Sequence, residues 1–195
     1  MLDNVVLMEF IKAFVAIFVI MDVFGNVPIF SILNGKFTKE RKIQNIKRAV
    51  LIASIVLFLF LFIGNYLLNF FGVRMSSFKV AGGIVLMILG LKILLGLKLT
   101  KKEDLSEIAV VPMATPLITG PGVITTVMIL VGKYGYWIPL IASILNLLLA
   151  YFILRYSDRL LKVIGKQGSD VVSRIMGLII VAIAVEFIRV GWAGL

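Results

Sequence analysis

The chain consists of six long apolar runs separated by short polar stretches that carry most of its charge. The runs cover residues 5–33, 49–71, 78–97, 108–131, 137–156 and 172–192. A helix needs about 20 mostly apolar residues to cross the hydrocarbon core of a bilayer. The pattern therefore predicts an all-α integral membrane protein with six transmembrane helices.

The first and fourth runs contain helix-breaking residues near their middles. The first run is interrupted by Gly25, Asn26 and Pro28, and the fourth by Pro112, Pro116, Gly120, Pro121 and Gly122. Each run is predicted to form two half-helices that meet near the bilayer midplane. Irregular backbone is tolerated at that depth only where it is buried in protein or lines a polar cavity. We therefore expect the two breaks to face each other inside the bundle.

The two halves of the chain are related by an internal repeat. An offset of 93 residues matches them at first, and a two-residue insertion then changes the offset to 95. The matched pairs include Asp22 with Thr115, Pro28 with Pro121, Asn65 with Asp158, Gly72 with Gly165, Lys79 with Arg174 and Gly82 with Gly177. Because each half has an odd number of spans, the second copy enters the membrane in the opposite sense. We predict two inverted three-helix repeats, residues 1–97 and 98–195, in one membrane domain.

The composition agrees with a membrane protein, since 61% of the residues are apolar and only 15% are charged. The net charge of +10 would also fit a nucleic-acid-binding protein, but the basic residues are sorted by loop. Most lie in the stretches after the first, third and fifth runs, and positive loops favour the cytoplasmic side. We therefore expect both termini outside, the lipid bilayer as a partner and no nucleic acid.

The sequence contains no cysteine and no histidine. Disulfides, thiol catalysis and histidine metal sites are therefore excluded. The Gly-x-Gly-Asp strand of intramembrane aspartyl hydrolases and the phosphate-binding loop of ATPases are also missing from the sequence. These absences argue against an enzyme, and they require a gradient rather than ATP to drive any transport.

The two breaks predict a site for a small zwitterionic solute. Each break exposes the N-terminus of a following half-helix, where free N–H groups and partial positive charge favour an anion. We expect a substrate carboxylate near residues 26–29 or 122–124, and an ammonium near freed carbonyls, Asn26 or Asp22. The predicted substrate-binding residues are Gly25, Asn26, Pro28, Thr119, Gly120, Pro121, Gly122 and Thr125.

Two segments resemble motifs of a known family. Residues 22–30, DVFGNVPIF, resemble the Asp-Pro-x-Gly-Asn-x-Pro-x-Phe motif of the MarC-related membrane proteins, with Val23 where the family usually has proline. Residues 116–126, PLITGPGVITT, resemble the second motif of that family. The resemblance covers nearly the whole chain and implies a six-span, multi-pass protein of the plasma membrane. It also implies a relationship to proteins that move small neutral amino acids, such as glycine and alanine, with protons.

Two acidic residues within apolar runs are candidates for ion coupling. Asp22 adjoins the first break, where its protonation can be linked to solute binding, although it can equally cap the second half-helix. Glu186 is the alternative, but its i, i+3 spacing from Arg189 favours a structural ion pair. We expect no cofactor. A proton gradient is the expected energy source, with sodium as the alternative because oxygen ligands suit a hard cation.

These features favour a secondary transporter of small neutral amino acids of the glycine and alanine class, proton-coupled and working by alternating access. The alternative is a channel or another small-solute exporter, since broken helices also build pores. An intramembrane enzyme is less favoured. The sequence leaves open the exact solute, the direction of net flux, the choice between proton and sodium, and the oligomeric state.

Overall fold

The computed structural model of the protein describes residues 2–34, 37–97 and 118–195, which form helices and short connections without a β-strand. The helices are α1 Leu2–Met21, α2 Val23–Asn34, α3 Lys39–Phe70, α4 Met75–Leu94, α5 Pro121–Tyr134, α6 Trp137–Arg155 and α7 Ser157–Trp192. The predicted all-α class is therefore confirmed for these ranges. The first part of the predicted fourth span, up to residue 117, lies outside the described residues.

Four helices in the described ranges are long and apolar enough to cross a membrane. They are α3, α4, α6 and the part of α7 from Gln167 to Trp192, while α5 is a shorter apolar helix. Large apolar side chains such as Ile55, Phe70 and Trp137 are exposed on the outside of the bundle, as expected where lipid replaces water. The chain is thus a multi-pass helical membrane protein, and the full count of six spans stays a prediction.

Glycines in the left-handed backbone region mark two matched points of the repeat. Gly72 follows the end of α3 with a φ of 66°, and Gly165 interrupts α7 with a φ of 72° and a ψ of 168°. A side chain at such a φ is sterically disfavoured, so glycine suits both positions. The 93-residue offset pairs these two glycines, and the backbone leaves the helical conformation at both.

The first break lies at Asp22, and the prediction of a break at Gly25, Asn26 and Pro28 is wrong. Asp22 has a φ of 40°, and α2 continues from Val23 through Pro28 to Asn34. A proline inside a helix leaves the carbonyl four residues earlier without its amide donor. That carbonyl belongs to Phe24, and it accepts a hydrogen bond from Ser169 Oγ of α7 at 2.8 Å. The helix passes through Pro28 because the freed carbonyl has this partner.

Close packing of α4 against α7 forms the scaffold of the bundle. The two helices run antiparallel, since Ser76 lies beside Gly191 while Gly90 lies beside Gly177. A Cβ added at Gly90 would lie 3.0 Å from the carbonyl oxygen of Gly177. Small residues permit such backbone contact between membrane helices. Gly90 and Gly177 therefore allow the two backbones to pack in direct contact.

The remaining helices pack around this pair. Helix α3 packs against α5 and α6, α1 packs against α6 and α5, and α2 packs against α7 and α6. Asn146 of α6 donates one interhelical hydrogen bond to the carbonyl of Phe14 in α1 at 3.1 Å. The side chains of Ile17, Phe30, Leu57 and Leu86 fill the space between these helices. This packing brings the α1–α2 break and the start of α5 into the interior.

We predict that Gly90→Ala destabilises the protein. The new Cβ would lie 3.0 Å from both the Gly177 carbonyl oxygen and the Val181 amide nitrogen, and backbone atoms cannot move aside cheaply. Overpacking of this kind costs about 1–3 kcal/mol. The measurement is the Tm of the purified protein in detergent.

Gly132→Ala is the matched control for this substitution. Gly132 lies in α5, and a Cβ there would meet only the flexible end of Met75, at 3.4 Å. The control should leave the Tm unchanged or raise it, because alanine favours a helix over glycine. A Gly90→Ala protein as stable as the control would contradict the proposed packing.

Candidate functional site

The first break is stabilised by its own acidic residue. Asp22 Oδ1 accepts a hydrogen bond from the amide of Gly25 at 3.3 Å, which is the pattern of an N-terminal helix cap. The same oxygen lies 3.5 Å from Ser173 Oγ of α7. The side-chain amide of Asn26 donates to the carbonyl of Met21, the last residue of α1, at 3.4 Å. Asp22 therefore does cap the second half-helix.

The second break ends where α5 begins. Gly120 is the N-cap residue and Pro121 takes the first helical position, where its missing N–H costs nothing. The Gly120 carbonyl accepts from the amides of Val123 and Ile124 at 3.0 and 3.1 Å. Thr119 is buried, and its hydroxyl donates to the carbonyl of Ala53 in α3 at 3.1 Å. The start of α5 is thereby attached to a neighbouring span.

The two breaks share one cavity of about 70 Å³. A space of this size accommodates a few water molecules or a solute of similar bulk. Its described lining comes from the first break, the start of α5 and one face of α4: Ile20, Met21, Asp22, Asn26, Gly120, Pro121, Gly122, Val123, Leu89 and Ile93. The expectation that the breaks face each other inside the bundle is confirmed.

The electrostatics of this cavity are simple. Asp22 is the one ionisable residue in the described lining, opposite the N-terminus of α5 with its partial positive charge. The other lining side chains are neutral, and most are apolar. In the described ranges no cluster of three or more acidic side chains could hold a metal ion. The arrangement offers one anionic and one electropositive group, which suits a small zwitterion.

Side chains of α1 and α4 pack closely around Gly122 in the wall of the cavity. A Cβ at this position would lie 2.9 Å from Leu86 Cδ2, 3.3 Å from Leu89 Cδ2 and 3.4 Å from Ile20 Cγ2. Any larger side chain would enter the cavity or push these residues apart. The close packing around Gly122 therefore limits the size of the molecule that the cavity can hold.

Five of the predicted site residues and coupling residues line the cavity: Asp22, Asn26, Gly120, Pro121 and Gly122. Five others do not: Gly25, Pro28, Thr119, Thr125 and Glu186. The Thr125 hydroxyl donates to the carbonyl of Pro121 at 2.8 Å, and its methyl group fills the gap at Gly82. Thr125 therefore lies outside the described lining, since its hydroxyl and its methyl group both make contacts within the bundle wall.

Glu186 lies away from the cavity. It forms an exposed two-point ion pair with Arg189 in the same helix, at 2.8 and 2.9 Å. The i, i+3 pairing expected from the sequence is confirmed. Coupling through Glu186 has no support in this geometry.

Two serines of α7 contribute to the first break and were missed from the sequence. Ser169 bonds the Phe24 carbonyl and Ser173 approaches the Asp22 carboxylate. Their spacing of four residues puts both hydroxyls on one face of α7. That spacing was the available signal, but nothing local to α7 indicates which helix the face meets.

A second polar cluster joins three helices at one end of the bundle. The Asp158 carboxylate of α7 accepts a hydrogen bond from Ser31 Oγ of α2 at 2.9 Å and forms an ion pair with Lys42 Nζ of α3 at 3.0 Å. The hydrogen bond from Lys42 lowers the pKa of Asp158 below its ordinary value, although partial desolvation opposes the shift. The contact holds the basic start of α3 against the start of α7.

The described bundle defines a multi-pass integral membrane protein with a small cavity between two helix breaks. The chain belongs to the MarC family of integral membrane proteins, which it matches over residues 7–195. The family resemblance drawn from the two motifs is therefore confirmed.

Several relatives align with almost the whole chain. The chain is 38% identical to a UPF0056 membrane protein of Archaeoglobus fulgidus, with 94% of this chain and 92% of the relative covered. It is 36% identical to a UPF0056 membrane protein of Methanocaldococcus jannaschii, with 96% and 98% covered. A UPF0056 membrane protein of Aquifex aeolicus is 32% identical, with 92% and 90% covered. These names state a location but no activity, and no solved structure matches the chain.

We predict a small, pH-dependent contribution to stability from the Lys42–Asp158 ion pair. Because the folded-state pKa of Asp158 is lowered, the stabilisation is complete above an ordinary Asp pKa of about 3.9 and is lost as the pH falls through the folded-state pKa. The Asp158 side chain is 54% exposed, so solvent screening limits the effect to about 0.2–1 kcal/mol. Asp158→Asn should lower the Tm at pH 7, and the difference from wild type should shrink toward about pH 3.

Glu186→Gln is the matched control for this prediction. It removes an exposed ion pair that lies within a single helix, and isolated surface pairs of that kind contribute little. Its Tm should follow that of the wild type across the same pH series. A deficit in Asp158→Asn that stays constant from pH 7 to about pH 3 would contradict a role for the ionised carboxylate.

Proposed function

We propose that this protein is a secondary transporter of small neutral amino acids of the glycine and alanine class. The observation that carries this proposal is the cavity shared by two helix breaks, with one carboxylate in its described lining. Paired broken helices at the interface of two repeats form the solute sites of many secondary transporters. The resemblance of the sequence motifs to those of amino acid transporters in the MarC-related group points to the same class of solute.

The two sides of the cavity complement the two ends of a zwitterion. Asp22 and the side-chain oxygen of Asn26 are acceptors suited to an ammonium group. On the other side, the Gly122 amide lies in the first turn of α5 and suits a carboxylate, whereas the Val123 amide is bonded to the Gly120 carbonyl. We propose that the solute bridges the two breaks in this orientation.

The size of the cavity supports a preference for very small solutes. Ile20, Leu89 and Ile93 form apolar walls, and Gly122 has no room for a Cβ without contact at 2.9 Å. A glycine or alanine fits such a space, whereas a branched or aromatic side chain would require these walls to move. The walls therefore select by volume rather than by specific side-chain contacts.

Contacts between the helices support six spans arranged as two inverted repeats, residues 1–97 and 98–195. The 93-residue offset matches α2 to α5, and it matches α3 to α6 together with the start of α7. The 95-residue offset matches α4 to the remainder of α7. Equivalent helix pairs are in contact in both halves. The contact of α3 with α5 is equivalent to that of α6 with α2, and the contact of α4 with α5 is equivalent to that of α7 with α2. The antiparallel contact of α4 with α7 is the one expected across a pseudo-two-fold axis in the membrane plane.

The Lys42–Asp158 contact supports the proposed orientation in the plasma membrane. It joins the basic stretch at the start of α3 to the basic stretch at the start of α7. Two of the three basic regions therefore occupy the same end of the bundle. The positive-inside bias assigns this end to the cytoplasm and both termini to the outside.

We further propose that a proton gradient drives accumulation through Asp22. This carboxylate lines the cavity and is mostly withdrawn from solvent, so a solute ammonium and a proton act on the same group. Sodium is the alternative coupling ion, since the Asp22 carboxylate and freed carbonyls are oxygen ligands. The choice between the two ions is an outcome of the experiment below.

Uptake into liposomes tests this function directly. Purified protein is reconstituted and given radiolabelled glycine, alanine, serine or leucine under an imposed pH or sodium gradient. We expect saturable uptake and counterflow of glycine and alanine, little of leucine, and accumulation only with the coupling gradient. Flux without saturation or counterflow would indicate a pore, and no flux of any of these solutes would contradict the proposal.

Gly122→Leu tests whether the cavity is the transport site. A leucine side chain at this position would occupy the cavity, so glycine binding and uptake should be lost while the protein still assembles. Gly132→Leu is the matched control in the same helix, because the atoms nearest to a Cβ there belong to the flexible side chain of Met75. Equal glycine uptake by both variants would remove this cavity from the pathway.

A further inference from the structure

Two serine hydroxyls of α7 are directed at the first turn of α2 from the opposite half of the chain. Ser169 Oγ donates to the Phe24 carbonyl at 2.8 Å, and Ser173 Oγ lies 3.5 Å from Asp22 Oδ1. Both contacts cross more than 140 residues of sequence, at separations of 145 and 151. The start of α2 is therefore attached to α7 at two points, one turn apart.

The two contacts have different chemical roles. The Phe24 carbonyl is the one that Pro28 leaves without an amide donor, so Ser169 replaces a backbone hydrogen bond. Ser169 thus stabilises the helix itself. Ser173 instead contacts the carboxylate that lines the cavity. A change at Ser173 can therefore reach the solute site through Asp22, whereas a change at Ser169 acts on the fold of α2.

The contact of Ser173 with the break depends on Gly25. A Cβ at Gly25 would collide with both Ser173 Oγ and the Asp22 carboxylate. Gly25 does not line the cavity, so its lack of a side chain serves this close approach rather than solute access. The glycine, the serine and the carboxylate thus form one packed unit, of which Asp22 faces the cavity.

The hydrogen bonds to Asp22 are distributed unequally between its two oxygens. The Gly25 amide and the Ser173 hydroxyl are both directed at Oδ1. Within the described residues, Oδ2 is left without such a donor. Oδ2 lies against Gly25, where a Cβ would collide with it. The carboxylate is therefore fixed through both oxygens and meets the cavity in one orientation.

We infer that Ser173 is a positioning residue of the solute site, which holds the Asp22 carboxylate in the orientation in which it lines the cavity and can meet the solute ammonium. The inference rests on the proposed transport of zwitterions through this cavity. Ser173 is absent from the described lining of the cavity, so its effect on the solute must pass through Asp22. That dependence distinguishes it from a residue that binds solute itself and from a residue that only stabilises the fold.

A double-mutant cycle on the full-length protein tests this inference. Glycine Kd and Tm are measured in detergent for wild type, Ser173→Ala, Asp22→Asn and the double variant. We expect Ser173→Ala to weaken glycine binding about tenfold, the usual effect of losing a hydrogen bond to a charged group. In the Asp22→Asn background the same substitution should change the Kd by less than about twofold, because coupled neighbours are not additive.

Two further variants separate positioning from stability. Ser169→Ala should lower the Tm. Its fold-change in the glycine Kd should be the same in the wild-type and the Asp22→Asn backgrounds, because it does not act through Asp22. Ser54→Ala removes a hydroxyl bonded within its own helix, to the Val50 carbonyl at 2.7 Å, and should leave the glycine Kd unchanged.

Three results would overturn the inference. A Ser173→Ala protein with a lowered Tm but unchanged glycine Kd would have lost only a structural contact. A tenfold loss that persists in the Asp22→Asn background would mean that Ser173 does not act through Asp22. If wild type binds neither glycine nor alanine, the proposed function fails and the inference fails with it; in the first two results the proposed function stands.

Discussion

Backbone polar groups inside a bilayer must find partners within the protein, and this requirement governs both helix breaks. At the first break the Asp22 side chain satisfies the Gly25 amide, and Ser169 satisfies the Phe24 carbonyl. At the second break the Gly120 carbonyl accepts two amides, and Thr119 donates to Ala53 in α3. Each break is thus bonded to a neighbouring span rather than left to solvent. The irregular backbone is held by the straight helices around it.

The cavity follows from the same requirement. Two helices that stop inside the bundle leave a space between their ends, and α4 closes one side of it with Leu89 and Ile93. The antiparallel contact of α4 with α7 keeps this side rigid, since Gly90 and Gly177 bring the two backbones together. The site therefore combines locally broken helices with a closely packed support, so that a small solute can meet fixed acceptors and donors.

The sequence predicted the helical class and the approach of the two helix-breaking segments inside the bundle, because those follow from hydropathy, helix breakers and the cost of unpaired backbone in lipid. It could not predict that the first break falls at Asp22. The path of α2 through Pro28 depends on the hydroxyl of Ser169, which is distant in sequence. Nor could the sequence place Thr125 outside the described lining, since its methyl group fills the gap at Gly82 of α4. Both outcomes depend on which helix faces meet, and the repeat alone does not specify that.

Hydrogen–deuterium exchange with and without solute is the most direct test of the claim that both breaks build one site. Amide exchange is compared in peptides covering residues 19–28, 119–126 and, as a control, 137–155, for the protein alone and with saturating glycine or leucine. The account predicts that glycine slows exchange in both break peptides together and leaves the control peptide unchanged, while leucine has no effect. Protection of one break without the other, or of neither, would contradict it.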